Sequence, residues 1–174
     1  MLSQQLHTAI NDQINAELWS AYLYLSMSLD AENKGYKGVA NWFFVQWQEE
    51  QDHARILMNY LNSRDMKVEL KPIPEVPTQW DSVLEMFRET LRQEKIVTGR
   101  INKLAGIAAE DRDFASSNML VWFIDEQIEE EESARDMIFA AESVESDKYG
   151  MYQLDKELAT RTYTPATPLA TPAE

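Results

Sequence analysis

Cysteine is absent from the 174 residues, which excludes disulfides, thiolate metal sites and cysteine nucleophiles. Glycine and proline are almost as scarce, at five and six. Three of the prolines fall between residues 72 and 77, and the other three in the last ten. Elsewhere the chain is nearly free of helix breakers, and that favours an all-helical fold. Basic residues are few as well: 16 against 30 acids, a net charge of −14. So acidic a chain is a poor match for nucleic acid or an anionic membrane and a good one for cations. No window of about 18 apolar residues exists, so no segment is expected to span a membrane. The N-terminal MLSQQLHTAINDQ has neither the basic start nor the apolar stretch of a signal peptide, and a cytoplasmic protein is the expectation.

What the chain does have is 44% hydrophobic residues, enough at this length for one well-packed domain. Apolar residues recur near the helical period in four long segments. The first runs from about Ser3 to Asn33, with Leu6, Ile10, Ile14, Leu18, Ala21 and Leu25 on its stripe, and Gly35 suits its left-handed stop. The second runs from about Lys37 to Arg64. The third starts near Thr78, where Thr78-Gln79-Trp80-Asp81 resembles a capping box, and ends near Glu110. The fourth, with Asp113 as N-cap, continues to about Ser143. A shorter amphipathic stretch, Asp147 to Arg161, reads as a fifth helix. Residues 1–162 then form one helical bundle with its C-terminal helix, and the Pro/Thr/Ala-rich tail 163–174 is expected to be disordered.

Loop lengths set the topology. The first and third connections are a few residues each, so each makes an antiparallel helical hairpin. The second, Asp65 to Pro77, carries three prolines and no helical stripe. Thirteen extended residues reach about 43 Å at roughly 3.3 Å each, and a 28-residue helix is about 40 Å long. The connection can therefore cross the whole bundle. A four-helix bundle with one long crossover is predicted.

Each of the four stripes contains acids where apolar residues are due. Glu17 is in register with Ile10, Ile14 and Ala21; Glu50 with Phe43, Gln46, His53 and Leu57; Glu94 with Phe87, Leu91 and Val97; Gln127 and Glu130 with Phe123 and Ala134. Glu17 to Glu50 is 33 residues, and so is Glu94 to Gln127. Another potential ligand follows three residues later in each hairpin, His53 in one and Glu130 in the other. Both hairpins thus bring their polar groups to the same depth. Clustered, desolvated carboxylates repel one another and resist ionisation, and a bound cation relieves both effects. Oxygen-rich ligands with one imidazole suit iron or manganese better than structural zinc. A dinuclear centre in the bundle core is the prediction. A lone acid on a helix, or one E-x-x-H, is commonplace; the matched spacing at one depth is not.

With these residues in place, the sequence resembles the ferritins, of the non-haem bacterial type, over essentially its whole length. The resemblance implies a di-iron ferroxidase centre in which Glu17, Glu50 and His53 hold one iron, while Glu50 bridges to a second held by Glu94 and Glu130. It sets Gln127 beside the site, Tyr24 as a hydrogen-bonding, electron-donating tyrosine, and Trp122 as a nearby aromatic. Glu49, Glu126 and Glu129, with Glu130, match a third iron site. No haem is expected, because Gln51 stands where bacterioferritins carry their haem-ligating methionine. The acids that line the three-fold pore of animal ferritins are missing from Ser116-Ser117-Asn118-Met119-Leu120. The resemblance further implies a hollow homo-oligomeric shell of 24 subunits that takes Fe2+ and O2 (or H2O2) and stores ferric mineral. Carboxylates favour Fe3+ over Fe2+, and two irons about 3.5–4 Å apart can each give one electron to O2. The alternatives are a non-storage di-iron or di-manganese carboxylate oxidase, which needs an apolar access pocket, and a bundle with a purely structural metal, which gives Glu49, Glu126 and Glu129 no purpose.

Overall fold

A computed structural model describes residues 2–170. Five helices run in order: α1 (Gln4–Asn33), α2 (Lys37–Ser63), α3 (Val83–Glu110), α4 (Phe114–Ser143) and α5 (Lys148–Leu158), followed by a 3-10 turn at Thr167–Leu169. None of them is long and apolar enough to cross a membrane. Ser3 caps α1 by accepting from the Leu6 N–H at 3.1 Å. At the other end Gly35 takes φ +87° and the Tyr36 N–H reaches back to the Ala31 carbonyl, so the chain reverses within a few residues. Arg112, at φ +53°, and the Asp113 N–H to Ala108 contact make the corresponding stop for α3. Two antiparallel hairpins result.

The crossover is fastened along α1 rung by rung. His7 Nε2 meets the Lys67 carbonyl at 2.7 Å, Asn11 accepts from the Glu69 N–H at 2.7 Å, and Asn15 accepts from the Lys71 N–H at 3.2 Å. Further along, Ser26 donates to the Pro77 carbonyl at 2.6 Å and Asp30 accepts from the Trp80 N–H at 3.1 Å. The connection therefore traverses the bundle and leaves α2 and α3 parallel. These rungs also correct where α3 begins. Thr78 to Asp81 stays in the crossover because Trp80 is held by Asp30 and buried, and Ser82 caps the helix by accepting from the Glu85 N–H. The working capping pair is Ser82 with Glu85, one turn later than expected.

Helix α5 closes one end of the bundle. Asp155 Oδ1 accepts from the N–H groups of Gly38 and Val39 at 2.8 and 2.9 Å, capping α2 from outside. Gly38 permits that approach, since a Cβ there would lie 1.5 Å from the Asp155 carbonyl oxygen.

The tail differs from expectation over its described part. The Tyr163 hydroxyl donates to Asp52 Oδ2 at 2.7 Å, the Ala166 N–H donates to the same oxygen at 2.9 Å, and Leu169 packs on the apolar interior. Asp52, which falls off the stripe of α2 and would default to the surface, is consequently buried. Residues 171–174 lie outside the described part. The apolar interior forms two clusters. One contains Tyr24, Met27, Trp42, Phe43, Met86, Phe87 and Leu154; the other contains Leu6, Ile10, Ile14, Leu57, Val97, Ile101, Leu120 and Phe123. On every long helix the predicted ligand positions fall between the two.

Candidate metal centre

Four helices bring their polar stripe residues into this middle layer. Glu17, Glu50 and Glu94 are at most 1% exposed, His53 2% and Glu130 7%, so water cannot solvate them. Some are held by neighbours one turn away on the same helix and others by side chains from a facing helix. Gln13, one turn before Glu17, donates to Glu17 Oε1 at 2.8 Å. His53 Nδ1 lies 3.5 Å from Glu50 Oε2. The Tyr24 hydroxyl donates to Glu94 Oε1, and Gln127 Nε2 donates to Glu94 Oε2 at 3.2 Å. Gln46 Nε2 donates to Glu130 Oε2 at 2.8 Å. The His53 ring meets Trp122 edge-on at 5.5 Å.

Two buried oxygens have no hydrogen-bond partner among the described residues: Glu17 Oε2 and Glu50 Oε2. An orphaned carboxylate oxygen in a dry interior is strongly unfavourable. Two of them, on residues that share a ligand group with His53, describe a socket for a cation. Glu17, Glu50 and His53 offer ligand atoms within 4.8 Å of one another, and so do His53, Glu126 and Glu130. The imidazole belongs to both groups.

The electrostatics agree. Burial pushes the Glu50 carboxyl well up; the neighbouring His53 offsets part of this, and Glu94 and Glu17 add to the rise. Burial raises Glu94 to about 7, against the hydrogen bonds from Tyr24 and Gln127 that pull it down. Burial and the Glu94 charge take Glu130 to about 8. Burial would lower the His53 pKa, yet the charge of the neighbouring Glu50, with those of Glu17 and Glu130, raises it well above the ordinary value. Tyr24 is raised by burial and by the Glu94 and Glu50 charges, so it remains a neutral donor. These carboxyls hold protons near neutrality that a metal would displace.

The sequence-predicted residues thus fall into three sets. Glu17, Glu50 and His53 come together in one group and His53, Glu126 and Glu130 in another. Glu94 belongs to neither ligand group, and its oxygens accept from Tyr24 and Gln127; Gln127 touches the site through Glu94 and not as a member of a group. Glu49 is turned to Arg161, whose Nη2 donates to its Oε2 at 2.6 Å, and Glu129 is exposed on α4. Gln13, Gln46 and Arg161 were not anticipated. Gln46 was legible as one more polar residue on the α2 stripe, and Gln13 as the i−4 neighbour of Glu17; nothing local marks Arg161.

A helical bundle whose central layer joins buried carboxylates and one imidazole from four helices is the architecture of the dinuclear carboxylate proteins. Within that class the match is specific. The family model for the ferritin-like domain matches residues 7–142. A bacterial non-heme ferritin of Staphylococcus haemolyticus is 38% identical over 163 residues, covering 94% of this chain and 98% of the relative. The open pore ferritin of the hyperthermophilic archaeon Archaeoglobus fulgidus superimposes with a TM-score of 0.92 at 42% identity, covering 93% of this chain and all of that one. A humanized archaeal ferritin gives 0.93 at 41% identity, over 95% of this chain and 100% of its own. The chain belongs to the ferritin family. Its function is that of an iron-storage ferritin with ferroxidase activity, and iron is the metal it handles.

Proposed function

We propose that Fe(II) is oxidised by O2 in the middle layer, with Glu17, Glu50 and His53 holding one iron and Glu50, Glu94 and Glu130 the second. The observation that carries this assignment is the pair of buried, unpartnered oxygens on Glu17 and Glu50. The Glu50 carboxyl feels the charges of both Glu17 and Glu94, which supports its serving both irons. Binding releases the protons that burial keeps on Glu94 and Glu130, and His53 must give up its own to ligate. Tyr24 steers Glu94 by donating to Oε1, while Gln127 fixes the other oxygen and Gln46 fixes Glu130. Iron supplies two electrons per pair to O2; the chain supplies charge neutralisation, ligand orientation and a dry interior.

Glu126 and Glu130, with Glu49 and Glu129 nearer the surface, form a looser outer position through which oxidised iron leaves for the mineral. The chains assemble as a homo-oligomeric shell of 24, and the protein works in the cytoplasm. The test is aerobic Fe(II) addition to the metal-free protein, with gel filtration alongside. Glu50→Ala is expected to abolish fast oxidation while leaving the assembly intact. Oxidation at the parental rate by that variant would refute the assignment.

A further inference from the structure

The C-terminal segment carries one cation into the neighbourhood of the centre. Arg161 follows α5 by three residues and is clamped on its backbone, where its carbonyl accepts from Asn41 Nδ2 at 2.9 Å. Its guanidinium lies over the Trp42 ring, with Cζ 4.5 Å from the centroid. Nη1 donates to the Trp42 carbonyl at 3.1 Å and to Gln46 Oε1 at 3.0 Å, while Nη2 donates to Glu49 Oε2 at 2.6 Å. Because Arg161 claims the oxygen of the Gln46 amide, the nitrogen of that amide is left to point at Glu130, which it meets at 2.8 Å. One planar fork therefore reaches Glu49 directly and Glu130 through one amide.

We propose that Arg161 is a tethered counter-ion of the outer metal position: it neutralises Glu49 until an arriving cation displaces it, and so sets the affinity of that position low. The inference rests on the outer position put forward above. Physically, a mobile ion and a covalently tethered one compete for the same carboxylate, and the tethered one loses little entropy when it binds again. Weak binding suits a place that iron must leave. Arg161 is thus a positioning residue and not a ligand.

Anaerobic calorimetric titration of the metal-free assembled protein with Fe2+ tests this. The parent is expected to show two tight sites per subunit and a weaker third. Arg161→Gln should tighten the third by about tenfold, equivalent to about 1.4 kcal/mol, without changing the number of tight sites. Arg161→Lys keeps the charge and should fall between the two. Tyr163→Phe loosens the tail without touching the charge and should match the parent. A third site within twofold of the parent in Arg161→Gln would overturn the proposal and leave the dinuclear centre standing. Equal tightening in Tyr163→Phe would also overturn it, by showing that release of the tail is the cause. A parent without the tight pair would instead sink the metal-centre assignment itself.

Discussion

Replacing Glu130 by Gln in the metal-free protein should raise stability in alkali and leave it nearly unchanged in acid. Glutamine reproduces the shape of the protonated carboxyl and can still accept from Gln46. In the folded chain the Glu130 pKa is raised from 4.5 to about 8, chiefly by burial and then by the Glu94 charge. A raised folded-state pKa contributes stability that is present below the unfolded value and is lost as pH rises through the folded one. The parent therefore weakens between about pH 4.5 and about pH 8, whereas Glu130→Gln does not weaken through this group. At about 1.4 kcal/mol per pH unit, the rise from 4.5 to about 8 amounts to a ceiling of about 5 kcal/mol. Relaxation and water penetration reduce that, so an advantage of about 2–5 kcal/mol at pH 8.5 is expected, falling to about 1 kcal/mol or less at pH 5. Urea unfolding of chelated protein at matched subunit concentration measures it. A divalent cation should reverse the ranking, because only the parent keeps the full negative ligand set. An advantage that is the same at both pH values, or a variant less stable at pH 8.5, would refute the electrostatic reasoning.

Other perturbations follow from the same geometry. Tyr24→Phe removes the donor that lowers the Glu94 pKa, so that carboxyl should stay protonated above pH 7; anaerobic Fe2+ affinity should fall severalfold near pH 6.5 and recover by pH 8.5, against a profile identical to the parent's if the contact is idle. Gly38→Ala sets a methyl group 1.5 Å from the Asp155 carbonyl oxygen, which backbone on both sides keeps in place; it should displace α5 and lower stability by about 2 kcal/mol or more in denaturant unfolding, and a loss under about 0.5 kcal/mol would contradict the packing.

The bundle was legible because its rules are local. Ser3, Gly35 and Asp113 punctuate the chain where the backbone needs a cap or a left-handed turn, and scarcity of glycine and proline leaves the stripes unbroken. The convergence of Glu17, Glu50, His53 and Glu130 followed from counting, since equal distance from a hairpin turn means equal depth. What stayed hidden is what depends on side chains meeting across distant segments. The crossover's grip on His7, Asn11 and Asn15 keeps a helical spacing on α1, but nothing in the chain's local pattern says that a segment some 56 to 60 residues away will lie along that face. Thr78 was an attractive cap, yet Asp30, far away on α1, holds Trp80 in extended chain and defers the helix to Ser82. The tail reads as disordered by composition alone, but Tyr163 and Ala166 find a buried acid at Asp52 that composition cannot place. Arg161 lies 112 residues from Glu49 in the chain, and only the course of α5 brings them together.

The division of the apolar interior into two clusters has a consequence for how the protein comes apart. Each cluster is a complete oily plug with its own aromatic or aliphatic packing, and the polar layer between them is joined by hydrogen bonds such as Gln46 to Glu130 and Tyr24 to Glu94 in place of apolar contact. Metal-free, the bundle is two springs coupled through continuous helices; opening at one end need not propagate to the other. A metal ion held by the two ligand groups would tie α1, α2 and α4 at mid-length, and the two plugs are then expected to melt as one. Cooperativity of unfolding, and not only its midpoint, is thereby expected to depend on iron load, so that the bundle is mechanically most uniform when it is loaded and loosest when it is starved.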